Sequence, residues 1–354
     1  MLILTLIAAS CGGSGGSNQQ QGSGNGKVAI FITDNISFYK QVVSKITGIR
    51  LVNSGTGGTC EILGNPITLD LSNLSNLAQY VNLAQCPAGQ YNRIDISLQR
   101  NIHLMNQLDA QSSCAVTSYL DESGETKLLA CDPNTGICMM SIRGGARDGA
   151  VTVQEDRYND LGIDFDLKQF MVADFGNSAA CSVTMKVAAV SAVDMNSSGR
   201  SHQVAGNIHD LASPSRTFTL LAGGVSLTVD YSAINPALQE NIDALLLTAQ
   251  TDGLPVIVQT GDINVETGTI TANRIFVKAA GTVSDVKDQP QWSFGLTMVS
   301  ANTIKASHKP PAAKEGEFVN GVWANVRFSG YDGIKAEFIA ASVEVLPAGM
   351  VIDD

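Results

Sequence analysis

The stretch VAGNIHDL at Val204–Leu211 returns as AAGTVSDV at Ala279–Val286, seventy-five positions later. The shared frame is Ala-Gly-x-(Ile/Val)-x-Asp-(Leu/Val). An aromatic run follows each copy, RTFTL around Phe218 and WSFGL around Phe294. The units also close alike, GTITANRIFV at Gly268–Val277 matching GIKAEFIAASV at Gly333–Val343. A duplication of this length makes each copy one supersecondary unit. About five short apolar runs per unit suit a small β-barrel. Gly206 and Gly281 hold corresponding places and predict bulges or corners.

The first half reads as strands of another kind. KVAIFIT at Lys27–Thr33 places Val28, Ile30 and Ile32 on one face. Further strands are expected at Gln41–Val52, Pro66–Leu71, around Ile94, Ile96 and Leu98, and at Ala115–Leu120, Ile137–Ile142, Gly162–Leu167 and Ser182–Val190. Leu71, Leu74 and Leu77, spaced by three, suggest a short helical turn within Ser72–Tyr80. Pro87 and Gly89 set a turn before the strand around Ile94. Many short strands separated by turn signals argue a sandwich or barrel. The fold class expected is all-β: an N-terminal β-sandwich over 27–200, then two small barrels over 201–278 and 279–354.

Two resemblances attach to these runs. VAIFITDN, LDLSNL, PAGQYNRIDISL and LGIDFDL, in that order and spacing over Lys27–Val193, resemble the bacterial domain of unknown function 4382. Its members are largely exported lipoproteins, so the resemblance implies a tethered β-sandwich with no assigned activity. The family usually has Ala-Pro after its Thr-Asp, where this chain has Asn35-Ile36. The repeat pattern V-x-G-x-(I/V) and T-G-x-I-T-A-x-R-I resembles domain of unknown function 5666, better in the first unit. That implies OB-like barrels.

Met1–Ala9 is nearly all apolar, and Ala8, Ala9 and Ser10 precede Cys11. The run is too short to span a bilayer and reads as a signal segment over 1–10. It resembles the lipobox of bacterial lipoproteins, which implies acylation of Cys11. Ala8 stands where that pattern usually has Leu, and no Lys or Arg precedes the run. An ordinary signal peptide with an incidental cysteine is the alternative. Residues 11–26 then form a Gly/Ser/Gln tether of roughly 20–23 Å as a flexible coil. Stable attachment takes at least two acyl chains. Gly12, rather than Asp, after the cysteine implies by the same resemblance the outer membrane, facing periplasm or cell surface.

Six cysteines remain: Cys60, Cys86, Cys114, Cys131, Cys138 and Cys181. An even count in an exported chain suggests three disulfides, and fifteen pairings are open. The turn Asp-Pro-Asn-Thr-Gly-Ile between Cys131 and Cys138 favours a bridged hairpin there, and Cys60–Cys86 is a second guess. No C-x-x-C pair supports zinc. Net charge is −11, and both halves of the folded body are acidic. Neither offers the basic field that phosphate backbones need, so no nucleic-acid partner is expected.

Chemistry-bearing residues are few. Asp164 and Asp166, two apart on a strand, are expected to share a face with carboxylates roughly 6–7 Å apart. They could seed a Ca²⁺ site, joined by Asp34, or a glycosidase pair; the plainer alternative is a solvated strand face. His103, His202, His209 and His308 show no metal-ligand spacing. SGGS near Ser14 is tether, with no strand or helix to make a nucleophile elbow. RGGARDG at Arg143–Gly149 could nest an anion, a solvent loop being the alternative. Trp292 and Trp323 could stack on sugars or serve as barrel core. The expectation is a non-enzymatic envelope protein, held to the membrane by its lipid and presenting β-domains to a protein or glycan partner. A carbohydrate- or Ca²⁺-binding module is the alternative, and a hydrolase the third reading.

Overall fold

Val28, Ile30 and Ile32 do line one face of the first strand, and all three are fully buried. The structure, a computed structural model, describes residues 24–352 apart from 35–37, 75–76, 109, 122, 145–148, 192–200, 236–238, 262, 264–265, 288–291 and 316–317. The expected signal segment, Cys11 and nearly all of the tether lie outside the described residues.

The first body contains β1 (Asn25–Asp34), β2 (Gln41–Val52), β3 (Thr59–Leu63), β4 (Ile67–Asp70), β5 (Leu77–Pro87), β6 (Gly89–Tyr91), β7 (Arg93–Gln99), β8 (Asn101–Met105), β9 (Gln111–Leu120), β10 (Thr126–Leu128), β11 (Ala130–Cys131), β12 (Ile137–Arg143), β13 (Val151–Val153), β14 (Tyr158–Phe165), β15 (Met171–Ala173) and β16 (Ser182–Ser191). In one sheet β1 lies between β5, antiparallel, and β14, parallel. In the other, β2 lies between the β3–β4 pair and the β7–β8 pair. Ile30, Ile32, Ile163 and Phe165 of the first sheet share a core with Ile49, Leu51, Ile94 and Ile96 of the second. The last strand, β16, passes from one sheet to the other. Its first half pairs with β9 and β15, its second half with β14.

Disulfides close what pairing leaves open. Cys60 on β3 joins Cys86 on β5, linking the two sheets at one edge. Cys114 on β9 joins Cys181, just before β16. Cys131 and Cys138 face each other across the β11–β12 hairpin, the pair its enclosed turn picks out. The short helical turn expected within Ser72–Tyr80 takes the form of a 3-10 turn at Leu71–Leu74, and from Leu77 the chain is strand. Alternation wins there, because Ala78 and Tyr80 are needed in the core behind β5.

The second half holds β17 (Ser201–Ala212), β18 (Thr217–Ala222), β19 (Val225–Asp230), helix α1 (Ile242–Asp252), β20 (Val256–Thr260), β21 (Thr269–Lys287), β22 (Ser293–Met298), β23 (Thr303–Glu315), β24 (Trp323–Asp332) and β25 (Glu337–Leu346). Pairing closes a first ring in the order β17, β18, β19, β21, β20 and back to β17, with β19 and β21 parallel. A second ring runs β21, β22, β23, β25, β24 and back to β21, with β23 and β25 parallel. Both follow one five-stranded plan, that of an OB-like barrel. They share β21, which runs unbroken through position 278, where the sequence repeat turns over.

The sequence reading gave each unit five strands and no helix. In the first barrel α1 follows β19. Ile242, Leu245, Leu246 and Ala249 bury one face of it in the barrel core. Gly253, at φ 65°, ends it by donating its N–H to Ala249 O and Gln250 O. In the second barrel Phe318 stands at that place in the order. It packs on Trp292 and Phe294 with ring centroids 4.8 and 4.9 Å away. The barrels continue the sandwich directly, since β17 runs parallel to β5 from Ser201–Val204 alongside Leu77–Tyr80.

The corresponding glycines sit where each barrel's first strand passes from its fourth-strand partner to its second-strand partner. Gly206 pairs with Val256 of β20, and the next residue pairs with Leu221 of β18. Gly281 pairs with both Ala324 and Met298. A Cβ at Gly206 would lie 2.3 Å from Leu221 O, and one at Gly281 2.4 Å from Thr297 O. Gly206→Ala and Gly281→Ala are each expected to cost about 2–3 kcal/mol by overpacking, read from denaturant midpoints. Gly64→Ala, whose new Cβ would meet only Glu61 Cγ at 4.0 Å, serves as control and should stay within about 0.5 kcal/mol. Equal midpoints for all three would mean the strand crossing does not require glycine.

Candidate functional site

The three candidate acids are not gathered into one site. Strand register sets Asp164 beside Thr33 and Asp34 beside Phe165, on opposite faces of the sheet. Asp34 is 1% exposed, and its Oδ1 accepts the Leu167 N–H at 2.9 Å. Asp166 does not share a strand face with Asp164, because β14 ends at Phe165. It opens a 3-10 turn over Leu167–Gln169 instead, with Oδ2 accepting from Gln169 Nε2 at 2.5 Å. Among the described residues no three His, Cys, Asp or Glu side chains come together to hold a metal ion. Of the acids in the expected Ca²⁺ site, Asp34 and Asp166 meet at the Leu167–Gln169 turn, while register sets Asp164 on the other face of the sheet from Asp34.

The histidines are scattered. His103 is buried on β8 between Val43 and Ser113. His202 packs edge-on against Phe31, with Nδ1 3.3 Å from Gly261 O. His209 is exposed, its Nδ1 2.8 Å from Asp210 Oδ2. His308 lies on β23, and its side chain is outside the described residues, as are positions 145–148 of the Arg143–Gly149 loop. Trp292 packs with Phe294 and Phe318, while the Trp323 indole N–H donates to Met350 O at 2.6 Å. Asp95 is a buried acid with a structural task. Burial raises its pKa, but hydrogen bonds from Ser141, Arg50 and Arg93 outweigh that and leave it below the usual carboxylate value.

The concave surface lies elsewhere, at the seams between bodies. A hollow of about 470 Å³ sits against both barrels, lined by Leu254, Pro255, Ile257, Met298, Val299 and Ile352 among others. Lys278 enters its wall and donates to Ile352 O. A second hollow, about 410 Å³, lies between the sandwich and the first barrel. The β3–β4 connection around Asn65 forms one lip, and the Gly223–Gly224 turn between β18 and β19 forms the other. That turn is fixed on β5: the Leu83 N–H and the Tyr80 hydroxyl both donate to Gly223 O at 2.9 Å. Burial, then the nearby Tyr158, pushes the Tyr80 phenol pKa up. Gln79, Tyr80 and Asn82 of β5 face this hollow. Two further hollows, about 370 and 450 Å³, flank Lys27 and Tyr158, whose Nζ and hydroxyl are 2.9 Å apart.

Sequence reasoning missed these seams. The one signal available was a glutamine at strand positions otherwise suited to burial, at Gln79 between Ala78 and Tyr80 and at Gln203 before Val204. Their burial depends on β5 pairing with β17, which no local pattern records.

Residues 25–184 match the family described as Domain of unknown function (DUF4382). The match ends inside β16 and leaves the barrels uncovered. No curated protein matches the chain. Among solved structures, Drosophila Unr CSD456 aligns at 12% identity over 66% of this chain and 94% of that one, with a TM-score of 0.15. At that score a common fold is not shown.

Burial holds the His103 imidazole below its usual pKa of 6.5. The unfolded chain therefore takes this proton first, and stability falls as pH drops through 6.5 toward the folded value. Unfolding midpoints at pH 7.5 and pH 5 should show a loss at the lower pH that shrinks in His103→Leu. An unchanged loss would assign it to another group.

Proposed function

We propose that this chain is a non-catalytic, lipid-anchored protein of the bacterial cell envelope, at the outer membrane, whose β-bodies bind or assemble with a partner. The observation that carries the reading is the use of the cysteines. All six in the body are paired, which suits an oxidising compartment. The seventh, Cys11, stands alone at the end of the lipobox-like segment. The family over 25–184 brings no activity by its description. The acidic charge favours neither nucleic acid nor anionic lipid as a docking surface. A hydrolase finds little support in Tyr80 and Tyr231, two groups with strongly raised pKa values, because they are phenols that hydrogen-bond within the fold to Gly223 and Asp243. Carbohydrate binding is the second reading, favoured by the polar hollow beside Gln79.

The intact mass from a membrane fraction, with and without reductant, tests the proposal. The expected species starts at Cys11, carries acyl chains and gains six hydrogens on reduction. An unacylated mass would overturn the anchor. Six free thiols before reduction would overturn the compartment.

A further inference from the structure

The corner of the sandwich where β2 meets β8 is buried on its outer side. Val42, Ile102 and Leu104 belong to the sandwich core. Alternation then puts Gln41, Val43, His103 and Met105 on the outer face. Outer positions farther along the same strands, Lys45 and Asn101, are exposed. Gln41 and Met105 are nonetheless fully buried, and His103 is 7% exposed. Leu346, at the end of β25, and Ile352 close on Val43, with Trp323 and Met350 packed around them. The second barrel therefore covers this corner with its last strand and the segment after it.

That segment, residues 347–352, is built as a latch. Side chains of the barrel hold its main chain. The Trp323 indole N–H and the Asn325 amide donate to Met350 O at 2.6 and 3.3 Å, Asn325 Oδ1 accepts the Ile352 N–H, and Lys278 donates to Ile352 O. Its hold on the sandwich is Ile352 against Val43. It pairs with no strand, and a segment held by so few contacts opens before the body unfolds.

The closed corner also holds polar groups that water would satisfy. Gln41 Nε2 and Oε1 and His103 Nε2 have no hydrogen-bond partner among the described residues. Leaving them so is costly, and opening restores their partners. Among the described residues of this corner, His103 is the group that can gain a charge near neutral pH. Lys40, just ahead of β2, is half-buried and Lys45 is exposed. Asp70 on β4 lies across β2, two strand spacings or about 10 Å from His103. It already accepts from the Val42 and Ser72 N–H groups, the Ser72 hydroxyl and the Asn73 amide. Glu344 on β25 accepts from the same Asn73 amide, and Lys278 holds the latch. On β9 the neighbours are Gln111 and Ser113, and residues 347–352 have no ionisable side chain. Burial keeps the imidazole pKa below 6.5 in the closed form, so the open form takes the proton first. The push toward opening is absent well above pH 6.5 and grows as pH falls through it.

We propose that this seam is a pH-gated latch: when His103 takes a proton, residues 347–352 leave the sandwich and uncover Val43, Leu346 and the hollow of about 470 Å³ that Val351 and Ile352 help to line. The chain then presents in acid an apolar surface that it hides at neutral pH. The inference does not depend on the anchor, and the mass measurement and the test below fail independently.

Trp323 sits in the latch and reports on it. In Trp292→Phe it is the sole tryptophan of the chain. Between pH 7.5 and pH 5 its emission should move to longer wavelength, and its quenching by acrylamide should rise roughly twofold or more, with far-UV circular dichroism unchanged. His103→Gln in the same background, which cannot take the proton, should show neither change. Asn325→Ala, which removes two of the latch's bonds, should show the open emission already at pH 7.5. Hydrogen exchange at the Val351 and Ile352 amides of the unaltered chain, corrected for the intrinsic effect of pH, should quicken at pH 5, and it decides the matter if a variant fails to fold. Constant emission and constant exchange would overturn the inference. So would a shift that appears only as the dichroism is lost, which is global unfolding, or an equal shift in His103→Gln.

Discussion

Backbone hydrogen bonding in β21 is what the second half of the molecule depends on. Nineteen residues in one strand close one barrel and open the next. Every backbone N–H and C=O withdrawn from water must find a partner, and a closed ring supplies them without an edge. The strand can serve both rings only because its partners change along its length, from β20 to β24 and β22. Gly281 sits at that change, as Gly206 does at the equivalent change in β17. The duplicated glycines thus record a shared geometric need: a main chain that lets two neighbours approach on opposite edges within one or two residues.

The sandwich solves its edges differently. One flank is joined by a strand that changes sheets, β16, and the other by the Cys60–Cys86 bond between β3 and β5. The remaining two disulfides also act near sheet margins. Cross-linking reduces the freedom of the unfolded chain, more so for longer loops. The bond that spans 67 positions, Cys114–Cys181, is therefore the larger constraint, and the hairpin bond spanning 7 is the smaller. The barrels carry no disulfide and hold by closure and apolar filling alone.

Strands rich in β-branched and apolar residues and bounded by turn signals were legible before any coordinates. β2 runs Gln41–Val52, as its pattern indicates, and β12 and β16 extend the expected runs by only one residue. The repeat and its glycines were legible too, because duplication is a property of the sequence itself. Helix α1 was not. Its run of three leucines, Leu245–Leu247, masks a helical spacing that Ile242, Leu245, Leu246 and Ala249 reveal only once their burial is known. The acids misled for a related reason. Spacing places Asp164 and Asp166 on one face only if the strand continues, and it stops at Phe165. The hollow beside Gln79 lay beyond reach, since the parallel contact of β5 with β17 joins segments more than a hundred residues apart.

The position of β1 has a mechanical consequence. It is the first described strand, entered at Asn25, yet it lies in the interior of its sheet, with β5 bonded along one side and β14 along the other. A pull on the chain ahead of Asn25 along the strand axis loads both rows of hydrogen bonds together in shear. It cannot unzip them one at a time, as it would at a sheet edge. Load applied there is shared between β5 and β14, and β5 is in turn paired with β17, the first strand of the barrels.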